Sequence, residues 1–305
     1  MRTQLTTVVF SRDRPSQLLL LLRSLDRASD RTLAELHVTV LVRITNRAYR
    51  RAYNRVRDLF PHVWFWEETD FRRQLLTLLT HPRYTHVLFL VDDTVFVRKF
   101  QWAAVWAELA RPGRAGFSFR LGTNTTRCYT QQQPQSVPDY LADGSTMTWQ
   151  WTKAEHDFGY PLEVSSSVLP LRFVWPALSL DWVAPNSFEV ALQVVVQGWR
   201  ARWRGDPRVP RWLSSFRESR ALSIPANLCQ QEYKNRHAPG AFTCGELLAT
   251  FTRQRLEIDL DKLWGHTPTG AHEEVPWSFV PFRAKHPPLP SPAPSPYTDH
   301  QMRTL

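Results

Sequence analysis

Residues 87–96 read VLFLVDDTVF, a run of apolar and β-branched residues that stops at two adjacent carboxylates, Asp92 and Asp93. The run itself suits a strand buried on both faces, as in a parallel sheet. Two neighbouring acids at its end repel each other and lose hydration. Solvent exposure, capping by backbone N–H groups, or a bound cation relieves that cost.

Working outward, 5–10 (LTTVVF) reads as a strand, and SRDRP turns the chain into a helix over Pro15–Arg27. Asp13 suits the cap of that helix, and Pro15 suits its first turn, where a missing N–H is harmless. A second strand is expected at 36–43 (LHVTVLVR), an amphipathic helix at 47–59, a short strand at 62–66 and a helix from Thr69. Strand and helix thus alternate four times before residue 100. The expected fold class is α/β, with a mostly parallel central sheet and helices on its faces. Ligands of such sheets bind beyond the carboxyl ends of the strands, where SRDR, RITN and Asp92–Asp93 converge.

The second half alternates less regularly. A strand at 115–120 precedes a polar loop, an aromatic segment (MTWQWTKAEHDFGYP), an apolar segment (VSSSVLPLRFVWPAL) and a helix from PNSFEVALQ. Two more helices are expected at 227–235 and 244–254, and PPLPSPAPSP marks a proline-rich tail over 276–305.

Hydrophobic content of 43% and thirteen tryptophans exclude a disordered chain. The formal charge is +10, and only five of the 38 basic residues are lysines. Arginine's planar fork suits phosphate and carboxylate, although GC-rich coding explains the bias equally well. Three cysteines without a CxxC or Cys/His pattern exclude a disulfide framework and fit a reducing compartment. The N-terminus lacks the apolar core of a signal peptide, and LLLLLR is far short of the roughly 20 apolar residues of a membrane span. A cytoplasmic location follows as the expectation, with the basic surface able to dock peripherally on the inner face of an anionic membrane.

A strand ending in Asp-Asp before a β-branched stretch resembles the donor site of GT-A glycosyltransferases. VVFSRDRPSQLLLLLRSL resembles the first strand and helix of family-2-like members, and FRLGTNTTRCY, HDFGYPLEV, APNSFE and LSIPANLCQ resemble a group of bacterial glycosyltransferase-like proteins. The resemblance covers the chain to about residue 280. It implies a GT-A-like three-layer sandwich over 1–275, with a nucleotide-binding half to about 120 and an acceptor half beyond. The implied activity moves a sugar from a nucleoside-diphosphate sugar to a glycan, lipid-linked or protein acceptor.

It also implies Mn²⁺ or Mg²⁺ held by Asp92, Asp93 and a late histidine, His272, against the diphosphate. Ser11, Arg12, Arg14 and Arg120 would contact the nucleotide or its phosphates, with Asp92 beside them. Thr45 and Asn46 would reach the base or ribose, unless they form a simple turn. Glu67 would read the base, unless Glu67 and Glu68 merely open the next helix at its positive end. Asp157 or Glu189 would be the catalytic base; capping explains Glu189 as well. Trp149, Trp151 and Tyr160 suit either sugar stacking or core packing.

Two departures stand out. The acidic motif is usually Asp-any-Asp, yet Thr94 follows Asp93 here, and Ser165–Ser166–Ser167 stands where an acidic or histidine-containing segment is expected. They leave room for a catalytically weakened homologue that binds a sugar nucleotide or glycan. A different alternative is a basic protein acting on membrane or nucleic acid through WRARWR (199–204), although no RNA-binding motif accompanies that run. A nucleotidyltransferase would need further carboxylates.

Overall fold

The computed structural model describes residues 4–227 and 242–283. Nine strands form one sheet: β1 Leu5–Arg12, β2 Val38–Arg43, β3 Trp64–Glu67, β4 His86–Val91, β5 Arg114–Ser118, β6 Tyr140–Asp143, β7 Thr146–Gln150, β8 Ser167–Pro170 and β9 Trp212–Phe216. Their order is β3-β2-β1-β4-β8-β5-β9-β7-β6. The first four are mutually parallel, and β8 enters antiparallel between β4 and β5. Strands β5 and β9 are again parallel, with β7 and β6 added antiparallel at the far edge. The sheet is therefore mostly parallel in direction, as expected, and runs through both halves of the chain.

Alternation along the central strands feeds two cores. Val8, Phe10, Val87 and Phe89 point to one face, where they meet α3 Phe71–Leu79, α5 Leu171–Leu178 and α6 Pro185–Arg202. Val9, Leu88 and Leu90 point to the other. There they meet α1 Pro15–Ala28, α2 Arg47–Leu59, α4 Trp102–Leu109 and α7 Cys244–Thr252. Helices on both faces complete a three-layer sandwich.

Gly116 lies in β5 where β8 and β9 close on it. A Cβ there would stand 2.7 Å from a Leu169 methyl and 3.0 Å from the Val168 carbonyl oxygen. Gly116→Ala is expected to destabilise the fold by about 1–3 kcal/mol, readable as a lowered urea midpoint with unchanged slope.

Helix α1 has no side-chain cap; Arg14 is its N-cap residue, and Asp13, at φ 52°, lies just before it. Instead of capping α1, the Asp13 carboxylate accepts from the Thr45 N–H (3.0 Å) and hydroxyl (2.7 Å), pinning the β1 turn to the β2 turn. Asn46 caps α2 by accepting from Ala48 N and Tyr49 N, and Asp70 caps α3. The expectation that Glu67 and Glu68 open α3 is corrected by that cap: Glu67 is the last residue of β3.

The tail expected from 276 starts too early. Phe279–Pro281 pairs antiparallel with Leu256–Ile258 and belongs to the folded body. Residues 284–305, Cys229 and all but the first residue of the helix expected at 227–235 lie outside the described residues.

A cleft of arginines and carboxylates at the strand ends

A cleft of about 630 Å³ opens beyond the carboxyl ends of β1, β2 and β4. That size suits a ligand as large as a nucleotide sugar. Ser11, Arg12, Arg14, Asp92, Asp93, Arg120, Asp157, Glu189 and His272 all line it. The fold therefore brings together both candidate bases and most of the expected donor-binding residues.

The paired acids occupy the turn between β4 and a short strand, Thr94–Phe96, that pairs with Ala221–Ser223. Their environments differ. Asp92 is buried, and its oxygens are taken: one accepts from Arg14 Nη1 at 2.9 Å, the other from the Arg12 N–H at 3.1 Å. Burial raises its carboxyl above the ordinary range, and Arg14 holds it partway back. Asp93 stands 3.6 Å from the same guanidinium, and its Oδ1 is buried without a hydrogen-bond partner. Burial pushes its carboxyl up to about 6 against the pull of Arg14, with the neighbouring Asp92 charge adding to the rise. Arg14 is anchored in turn by Asn227, which accepts from its Nε at 2.8 Å.

Arg120 is the second hub. Its guanidinium donates to Glu163 Oε2 at 2.8 Å, to the Ser223 hydroxyl at 3.0 Å, and to His272 Nε2 at 3.1 Å. Burial and the adjacent guanidinium push His272 down to about 3, so the imidazole is neutral and its Nε2 accepts. The remaining Glu163 lone pairs are filled by the Ser165 and Ser166 N–H groups and by the Ser166 and Ser167 hydroxyls. The triple serine thus cradles a buried carboxylate that holds Arg120. Thr94, the other departure, donates its hydroxyl to the Ser165 carbonyl at 2.8 Å and ties the acidic turn to that cradle.

These contacts decide how a divalent cation fits. The partnerless Asp93 oxygen is a ready ligand, and oxygens of a diphosphate would supply others. Asp92 and His272 are engaged by Arg14 and Arg120 instead. Among the described residues, no group of three or more His, Cys, Asp or Glu side chains is placed to hold a metal.

The candidate bases line the same cleft. Glu189, in the first turns of α6, accepts from the Val164 N–H through one oxygen at 3.4 Å. Burial, helped by the Glu163 charge, pushes it up to about 7. Asp157 is more tightly held: Gln135 Nε2 donates to it at 3.1 Å and the Cys128 thiol approaches at 3.9 Å. Burial raises its carboxyl too.

Other expected contact residues have partners elsewhere in the fold. Thr45 and Asn46 are spent on Asp13 and on the α2 cap, and Glu67 is bidentate to Arg50. Its neighbour Glu68 lines the cleft with Arg43, 3.6 Å away. Trp149 and Trp151 are core residues, their indole N–H groups donating to the Phe158 and Pro210 carbonyls, while Tyr160 alone of the three reaches the cleft. Arg43 belongs to the converging RITN turn, whereas no sequence expectation attaches to Glu163 or Asn227 individually. Only Glu163 carried a usable signal, as an acid shortly before three residues rich in donors.

No family model matches the chain. Its sequence is 27% identical over 179 residues to the bifunctional glycosyltransferase pgtA of Dictyostelium discoideum, an alignment taking in 53% of this chain and 23% of that protein. The chain thus spans about a quarter of the relative's length. Among solved structures it aligns with S. aureus TarS at a TM-score of 0.41 and 14% identity, covering 73% of this chain and 37% of TarS. It also aligns with 4-diphosphocytidyl-2C-methyl-D-erythritol synthase from Anaerococcus prevotii, at a TM-score of 0.33 and 7% identity, over 61% and 81% of the two chains. With its parallel core, its helices on both faces and an acidic turn at the end of β4, the chain is an α/β three-layer sandwich that is similar in sequence, over 179 residues, to a glycosyltransferase.

Proposed function

We propose that this chain transfers a sugar from a nucleoside-diphosphate donor to a hydroxyl of a glycan, lipid-linked or protein acceptor. The polarity of the cleft supports that reading: arginines 12, 14 and 120 stand by the acidic turn, and Glu189 lines the same cleft with a carboxyl pushed up to about 7. Arg14 and Arg120 are held by buried partners, so their charge is aimed before substrate arrives. Glu189 takes the acceptor proton as the acceptor oxygen bonds to the anomeric carbon. The bond from that carbon to the diphosphate oxygen breaks, and the electron pair leaves on the diphosphate beside the arginines. A bound Mn²⁺ or Mg²⁺ at Asp93 would neutralise part of the leaving charge.

Calorimetric titration of UDP, GDP and dTDP, each with and without Mn²⁺, tests the donor site. At least one nucleotide should bind, and Mn²⁺ should tighten it about tenfold. In Asp93→Ala the metal increment should vanish. If no nucleotide binds under any condition, the reading is wrong.

A further inference from the structure

Helix α6 begins at the cleft and ends in the run WRARWR. Pro185, Asn186 and Glu189 line the cleft, while the outer surface of the helix turns away from the core. Val190 and Val194 lie one helical turn apart on that surface, and Val183 precedes the helix in the loop before it. They are 52%, 54% and 77% exposed, and Trp175 on the adjoining α5 is 50% exposed. Large apolar side chains exposed on two adjoining helices suit a contact surface.

The charges around them say what they contact. Between residues 171 and 204 the acids are Asp181 and Glu189, and Glu189 faces the cleft. The same stretch carries Arg172, Arg200, Arg202 and Arg204. Arg200 and Arg202 donate to backbone carbonyls of Gly159 and Gly198, and Arg204 lies over the Trp203 ring. The next acid along the chain, Asp206, is paired with Arg208. Exposed valines on a helix whose C-terminal end is rich in arginine match an anionic interface, in which valine and tryptophan enter the acyl boundary and guanidinium groups meet lipid phosphates. Among the described residues no helix is long and apolar enough to cross a membrane.

We propose that the α5–α6 face docks the protein on an anionic lipid surface. Because α6 starts at the cleft, docking would bring a lipid-linked acceptor to Glu189; that second clause rests on the proposed function, whereas the docking does not.

The test is co-sedimentation of the full chain with vesicles of phosphatidylcholine alone or mixed with phosphatidylglycerol. Partition should require phosphatidylglycerol and fall about tenfold or more in the double variant V190D/V194D. It should also fall as salt is raised. Both positions are exposed, so the variant's thermal midpoint should stay near that of the parent. Absent partition overturns the proposal, and so does partition that the double variant leaves unchanged. A parent dimer in light scattering that V190D/V194D converts to monomer also overturns it, because a second copy then covers the face. None of these readouts involves nucleotide or turnover, so failure of the transferase reading would show separately.

Discussion

Replacing Glu189 with Gln is expected to lower turnover about 10²–10⁴-fold while changing donor affinity by less than about twofold. Gln preserves the volume and the hydrogen bond from Val164 but cannot take a proton. Only the chemical step should suffer. The pH profile gives an independent check. With its carboxyl pushed up to about 7, Glu189 is largely protonated below that pH and competent above it. Turnover should therefore rise with pH through a midpoint near 7, and E189Q should lose that limb. The stability sign is opposite. The folded state holds this proton more tightly than the unfolded chain, whose glutamate titrates near 4.5. Stability contributed by the protonated group is complete below about 4.5 and is lost as pH rises through about 7, a slope E189Q should remove. Full turnover in E189Q together with its loss in Asp157→Asn would move the base to Asp157.

Arg120→Met is expected to destabilise the fold by about 3–5 kcal/mol, because it strands the buried Glu163 carboxylate. Met fills much of the same volume, so lost packing contributes little. The serine cradle would still donate to Glu163, but the compensating positive charge would be gone. Glu163→Gln in the same background should recover much of the loss, since a neutral amide no longer needs a counter-charge. Urea denaturation of the two singles and the double measures this coupling. Strict additivity would mean that the Arg120–Glu163 pair carries no net energy.

The first hundred residues were legible because their signals are local. Short apolar runs bounded by polar turns alternate with period-3.6 helices, and the helix expected at 47–59 is α2 to the residue. The converging turns of β1, β2 and β4 follow from parallel topology alone, and so does the place of the cleft. Local chemistry misled where two neighbours compete for one role. Glu67 and Glu68 are equivalent in composition, yet adjacent residues at a strand end point to opposite sides; one meets Arg50 and the other the cleft. Asp13 has the makings of a cap, but Thr45, thirty-two residues on, offers it two donors.

By itself, the sequence determined the α/β class, the order of the early elements and the edge of the sheet where polar residues gather, because those depend on periodicity and turn chemistry within short windows. Only the tertiary structure decided which polar residues are spent on one another. Arg14 comes to Asp92 across 78 residues, Arg120 to Glu163 across 43, and His272 to Arg120 across 152. A buried charge takes whichever partner the fold brings within about 3 Å, and no spacing along the chain records that distance.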